Sequence, residues 1–239
     1  MAQVPFVSSA SSDVGFRSPR GFYVGMALAA LLIIAIGFAP TFYLRPRSLA
    51  PLAPLVVAHG VIFTAWIVVF LAQTSLIATG RTAIHRKLGF IGLGLAVIML
   101  VMGPLIAISA ARRGVLPGDP LAFLLVPIMD VVLFAVFVSL AYHYRRRSEL
   151  HKRWMLLAIA SILPPAISRW PLAVNRPIVV PVVLLLFLAA RPVADRVAGT
   201  RVHPVSLWGG LFLLASLPLR FAVAQTEGWH RVARWLTGV

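Results

Sequence analysis

The chain is an all-α polytopic membrane protein, a bundle of about seven transmembrane helices, by three sequence observations. Of its 239 residues, 60% are hydrophobic and only 12% charged, with a mean hydropathy of +0.94. A soluble domain is nearer a quarter charged. The apolar residues fall into runs of membrane-spanning length, about 17–25 residues. The basic residues gather in the short stretches between those runs, as membrane orientation requires.

The first run, Phe22–Leu44, is too long for the apolar region of a signal peptide, and no small-x-small cleavage site follows it. Phe38, Phe42 and Tyr43 near its end read as an interfacial aromatic belt. Ahead of it, residues 1–20 are Ser-rich and read as a disordered tail, leaving 21–239 as one helical domain. The next runs are Leu52–Thr79, Leu88–Ala111, Leu121–Tyr144 and Trp154–Arg169. Pro177–Ala190 is short, roughly 21 Å as a helix; it is either re-entrant or continues past Arg191. Val205–Ala224 completes a count of seven, with six as the alternative.

Assigning Lys and Arg to alternating sides puts 13 inside and 9 outside when the N-terminus is cytoplasmic. The Leu121–Tyr144 run is the best oriented, with Asp119 at one end and Arg145, Arg146 and Arg147 at the other. The net charge of +16 is thereby assigned to topology and not to nucleic acid, because no soluble domain exists to carry a basic stripe. The absence of cysteine excludes disulfides, thiolate chemistry and cysteine-ligated metals. Six acidic residues leave almost no material for two-carboxylate catalysis, and no Ser-His-Asp set stands out, so the balance is against an enzyme.

Polar side chains within the apolar runs carry the functional expectations, since a charge in the hydrocarbon costs about 2.5–3.5 kcal/mol on insertion scales. Asp130 lies about ten residues, or roughly 15 Å, from the outer end of its run. His59 lies about seven residues, or roughly 10 Å, from the outer end of the second run. Arg169 ends the fifth run on the same side. The expectation is that His59, Asp130 and Arg169 form an intramembrane polar cluster. Its bland form is a structural network in which Asp130 pairs with Arg169 or His59. Its sharper form is an outward-facing pocket for a small molecule or protons.

His59, Phe63, Trp66, Phe70 and Gln73 recur at steps of four and three and form one helical stripe, with Trp66 and Gln73 facing other helices. Trp154, Ala158, Ser161, Pro165 and Ser168 make a similar stripe of mostly small residues. Pro127, one turn before Asp130, predicts a kink. Gly89, Gly92 and Gly94 predict close helix approach.

Four histidines, His85, His143, His151 and His203, fall on the inner side. Two imidazoles on facing helices are a common way to hold b-type haem, and His85 and His151 are the better candidate pair. The competing reading is that they sit at the headgroups as interfacial residues. No metal site is expected, because neither close ligand spacing nor an acidic co-ligand accompanies them. His230 reads as an exposed residue near the C-terminus.

The stretches APTFYLRP, AHGVIFTAWIVVFLAQTSLIATGRTAIHRKLG and HKRWMLLAIASILPPAISRWP carry a likeness over roughly Ala39 to Pro171. In their His-Gly, His-Arg-x-x-Gly and His-Lys-Arg-x-Met elements they resemble a family of small, functionally uncharacterised bacterial multi-pass inner-membrane proteins. The resemblance implies an inner-membrane location, with His59, His85, His151 and Arg169 as the matching residues. It implies no catalytic role, and Asp130 belongs to none of its motifs. Three functional classes follow: small-molecule or proton handling through the polar pocket, haem-binding redox or assembly work, and a structural subunit of a membrane complex. The implied partners are the lipid bilayer and other membrane proteins or further copies of the chain.

Overall fold

A computed structural model describes residues 21–238, and among them every regular element is helical. The tail expected over residues 1–20 lies outside the described residues. Ten helices follow in order: α1 Phe22–Phe38, α2 Pro54–Ala78, α3 Thr82–Arg112, α4 Pro120–Phe123, α5 Leu125–His143, α6 Ser148–Ser161, α7 Pro164–Ile167, α8 Val179–Val197, α9 Pro204–Ala224 and α10 Glu227–Thr237. Helix α1 passes into a π-helical turn, Ala39–Tyr43, that contains Pro40.

Local chemistry explains the boundaries. Pro54, Pro120, Pro164 and Pro204 open α2, α4, α7 and α9, where the missing N–H has no intrahelical partner to lose. Asp119 caps α4 by accepting from Leu121 N at 2.9 Å and Ala122 N at 3.3 Å. Gly80 and Gly199 end α2 and α8 in the left-handed region, with φ of 77° and 69°.

Among the described residues, five stretches are long and apolar enough to cross a membrane: Phe22–Tyr43, Pro54–Ala78, Thr82–Arg112, Pro120–His143 and Pro204–Ala224. Of the other two expected runs, one differs from the sequence reading and one takes the second of its two alternatives. Trp154–Arg169 is not one helix. Helix α6 begins earlier, at Ser148 in the basic stretch, and stops at Ser161 because Pro164 and Pro165 supply no N–H to continue it. The Pro177–Ala190 run does continue, through Arg191 and Pro192 to Val197, so α8 carries charges within its length. Helices α4 and α5 are parted only at Leu124, whose dihedrals stay helical, and Pro127 falls in the first turn of α5, where its lost N–H matters least.

The helices form a bundle in which α5 packs on α3, α6 and α9, α2 packs on α3 and α1, and α1 packs on α7. The core joins Trp66, Ile67 and Phe70 of α2, Met99 of α3, Phe134 and Phe137 of α5, and Leu156 to Ala160 of α6. Large apolar side chains on the rim, such as Phe90 and Leu186, point away from the protein, as a lipid-facing surface requires. Gly89 and Gly92 set α3 against Gln73 and Val69 of α2, whereas a side chain at Gly94 would meet nothing. The α2–α3, α5–α6 and α8–α9 connections share one end of the bundle, named here after His85; His59 and Arg169 mark the other.

Candidate functional site

At the His85 end, first turns of two helices face each other. His85 sits one turn into α3 and His151 one turn into α6, and both helices pack on α5. The two imidazoles stand 6.3 Å apart between ring centres, with planes at 85°. His151 Nδ1 meets the Ala141 carbonyl of α5 at 2.8 Å, which orients the ring and leaves Nε2 outside that contact. The neighbouring polar atoms lack partners. His85 Nδ1, Gln73 Oε1 and Trp154 Nε1 are all buried without a hydrogen bond among the described residues. A native structure rarely leaves such groups unsatisfied unless an ion, water or ligand meets them. The other two histidines of the inner set stay apart from the pair. His143 stacks edge-on with Tyr144, and His203 caps α9 by accepting from Val205 N at 3.1 Å. Burial, with a smaller push from Arg153, holds His203 below its ordinary pKa.

Asp130 is buried at mid-helix on α5, as its surroundings demand, but its partner is neither Arg169 nor His59. Arg220 of α9 donates through Nη1 to Asp130 Oδ1, and through Nη2 to Ser216 Oγ at 3.0 Å. All three side chains are buried. Alternating the sides places Arg220 among the nine outer cations, because it lies near the end of an apolar run.

His59 and Arg169 stay near each other at the opposite end, without Asp130. The end of α1 lies between them. The Arg169 guanidinium sits 4.8 Å from the Phe38 ring centre and donates to Pro165 O at 2.5 Å. His59 stacks on Phe63 at 4.1 Å and lies within electrostatic reach of Arg169. A Cβ on Gly60 would stand 2.4 Å from the Phe42 ring, so only glycine admits the π-helical turn this close to α2. Tyr43 OH and Thr64 Oγ1 join the two segments at 2.7 Å. His59 Nδ1 is buried and has no hydrogen-bond partner among the described residues. Trp66, further along the same stripe, is core: it stacks with Phe70 and meets Phe134 edge-on.

A third charged cluster escaped the sequence reading. Arg153 of α6 and Arg191 and Asp195 of α8 are 1–2% exposed. Arg153 grips Asp195 with both Nη atoms, at 2.9 and 3.2 Å, and Arg191 Nη2 reaches the same carboxylate at 2.5 Å. Alternating the sides places both arginines among the thirteen inner cations. The signal that identifies them is Arg191 and Asp195 spaced i, i+4 at the end of an apolar helix, with so few acidic residues elsewhere.

The described residues contain no group of three or more His, Cys, Asp or Glu side chains placed to hold a metal ion. The two-histidine site and the His59–Arg169 site therefore remain the candidates. No family model, no curated protein and no solved structure matches the chain.

Proposed function

We propose that this chain is a seven-crossing bacterial inner-membrane protein, amino terminus in the cytoplasm, that holds a b-type haem between His85 and His151 and serves in membrane redox chemistry or cofactor assembly. The course of the chain supports the two crossings beyond the five apolar helices. Helix α6 starts at the His85 end, and Arg169, eight residues past its last turn, lies over Phe38 at the far end of α1. Helix α8 returns to bring Arg191 beside Phe22 and Tyr23, at the start of α1.

The observation that carries the haem reading is the 6.3 Å between the His85 and His151 rings. A metal–imidazole bond is about 2 Å, and a ring nitrogen lies about 1 Å from its ring centre. An iron held between the His85 and His151 rings would put their centres about 6 Å apart. Charge favours haem over a bare divalent ion. An imidazole ligand brings no negative charge, the carboxylate of Glu149 at the start of α6 is bound to Lys152 and Arg153, and Arg86, Lys87 and Arg145 to Arg147 crowd the same end. Porphyrin cancels the iron's charge, and its propionates would meet those basic residues. When bound, haem supplies one-electron chemistry. The chain's part is to hold the imidazoles, with Ala141 O orienting His151 and Gln73 beside His85.

Purification in mild detergent, followed by an absorption spectrum, tests this. The expected result is a Soret band at about 410–430 nm, as for two-imidazole ligation, lost in His85→Ala and His151→Ala and kept in His143→Ala. A folded, colourless protein that stays colourless after incubation with hemin overturns it.

A second reading rests on the buried, unpartnered Nδ1 of His59 beside Arg169. Here the outer end handles protons or a small anionic molecule. Proteoliposomes under an imposed potential should then show proton movement that His59→Phe removes. Identical traces for both proteins, or none, eliminate that role.

A further inference from the structure

Helix α10 is tied across the end of the bundle opposite His85. Its first turn meets the start of α4, through Trp229 Nε1 on Leu121 O and His230 on Asp119. Its last turn meets the end of α3, through Arg112 Nε on Thr237 O. Its third neighbour, α9, also ends there, at Ala224. Three stretches able to cross a membrane therefore begin or end beside α10: Thr82–Arg112, Pro120–His143 and Pro204–Ala224. Their ends fix its depth. It lies where the hydrocarbon stops and the headgroup layer begins.

The side chains of α10 fall on three lines, about a third of a turn apart. Trp229, Ala233 and Thr237, at steps of four, face the bundle, and the last two are buried. Val232 and Trp235 form the second line and are 46% and 81% exposed. Arg231 and Arg234 form the third, and both are exposed. A tryptophan that faces neither the bundle nor another helix is costly in water, but a headgroup layer suits it, apolar on one side and wet on the other. A bilayer surface meets the two free lines together. Its acyl chains receive Val232 and Trp235, and its headgroups lie within reach of the arginines.

Charge selects the headgroup. Glu227 approaches Arg234 only to 3.9 Å, with both side chains open to solvent, and such a pair contributes little. Asp119 is engaged by His230. Guanidinia held at this depth beside an inserted apolar line attract lipids of net negative charge. We propose that α10 is an interfacial helix that seats Val232 and Trp235 among acyl chains and binds anionic phospholipid headgroups through Arg231 and Arg234. The site shares no residue with the two-histidine site or the His59–Arg169 site, and requires only that the apolar helices lie in a bilayer.

The test uses the full chain, which has no cysteine, so that Val232→Cys offers a single thiol for a bimane label. The labelled protein is reconstituted in nanodiscs of phosphatidylcholine and phosphatidylglycerol, with one or the other lipid brominated on its acyl chains. The expected result is a label quenched by brominated lipid and shielded from aqueous iodide. Brominated phosphatidylglycerol should quench about fivefold more effectively than brominated phosphatidylcholine at equal mole fraction. Arg231→Gln combined with Arg234→Gln should abolish that preference and leave the quenching itself, since neither residue lies on the packed line of α10. A label reached by iodide and untouched by either lipid overturns the proposal, because the face then meets water. A label shielded from both overturns it too, because a second copy or another protein then covers the face. Equal quenching by the two lipids, or a preference that survives the double substitution, removes the headgroup recognition and with it the proposal.

Discussion

Arg220 of α9 closes onto Asp130 of α5 across ninety residues of sequence, and neither side chain reaches water or lipid. The pair ties two helices whose termini lie in different loops. Its desolvation cost offsets much of its attraction, so intact it adds little net stability. Breaking it is another matter. Asp130→Ala strands a buried guanidinium and should lower stability by about 3–5 kcal/mol. Asp130→Leu combined with Arg220→Met should cost clearly less than the sum of the two single changes. Unfolding in detergent, with the two single variants and the double variant side by side, measures the coupling. Additive losses would mean that the two residues act separately.

The contact of α1 with α7 gives a sterically sharper expectation. A Cβ on Gly37 would stand 2.1 Å from the carbonyl oxygen of Ala166, and backbone cannot step aside as a side chain can. Gly37→Ala should therefore separate α1 from α7 and cost about 1–3 kcal/mol as overpacking. Gly94→Ala meets nothing and should be neutral or slightly stabilising through helix propensity. Tm values for the two variants, measured under one condition, test the contrast. Equal losses would remove the steric argument.

The apolar runs were legible because hydrocarbon selects length and composition together, and helical boundaries followed from prolines and glycines at the ends. One run is misjudged because an apolar window cannot see a helix that starts among Ser148, Glu149 and Lys152, and the continuation of another past Arg191 is legible only as one of two alternatives. The burial of Asp130 could be read from its surroundings, while its partner could not. Arg220 looks like any cation closing an outer run, and only the packing of α5 on α9 separates it from Arg169. His85 and His151 are a candidate pair from their places at the inner ends of two runs, while their 6.3 Å spacing depends on α5 holding α3 and α6, which the residue pattern does not encode.

The C-terminal helix carries a titratable latch outside the apolar core. Helix α10 lies against α3, α4 and α9, with Trp229 Nε1 donating to Leu121 O at 2.8 Å and Arg112 Nε donating to Thr237 O at 2.6 Å. At its start, His230 Nε2 meets Asp119 Oδ2 at 2.8 Å, while His230 Nδ1 meets Thr226 O at 3.0 Å. The hydrogen bond that His230 donates to Asp119 raises the His230 pKa above its ordinary value, with Thr226 O and the Glu227 charge adding to it. The same bond lowers Asp119, helped by the Leu121 and Ala122 amides. A raised His contributes stability below its unfolded value, lost as pH rises through the folded one; a lowered Asp contributes above its unfolded value, lost as pH falls through the folded one. The latch is thus fully present between about pH 4 and pH 6.5, the ordinary values of the two groups, and weakens above that window as His230 loses its proton. Both side chains are solvent-accessible, so the effect on global stability is small and the readout must be local. Hydrogen exchange at the amides of α10 should be slowest near pH 5.5, after correction for intrinsic rates, and should speed up by pH 8 in the wild type. His230→Gln, which keeps a donor but cannot titrate, should flatten that dependence. If the wild type and His230→Gln show the same corrected pH profile, the histidine does not control the docking of α10.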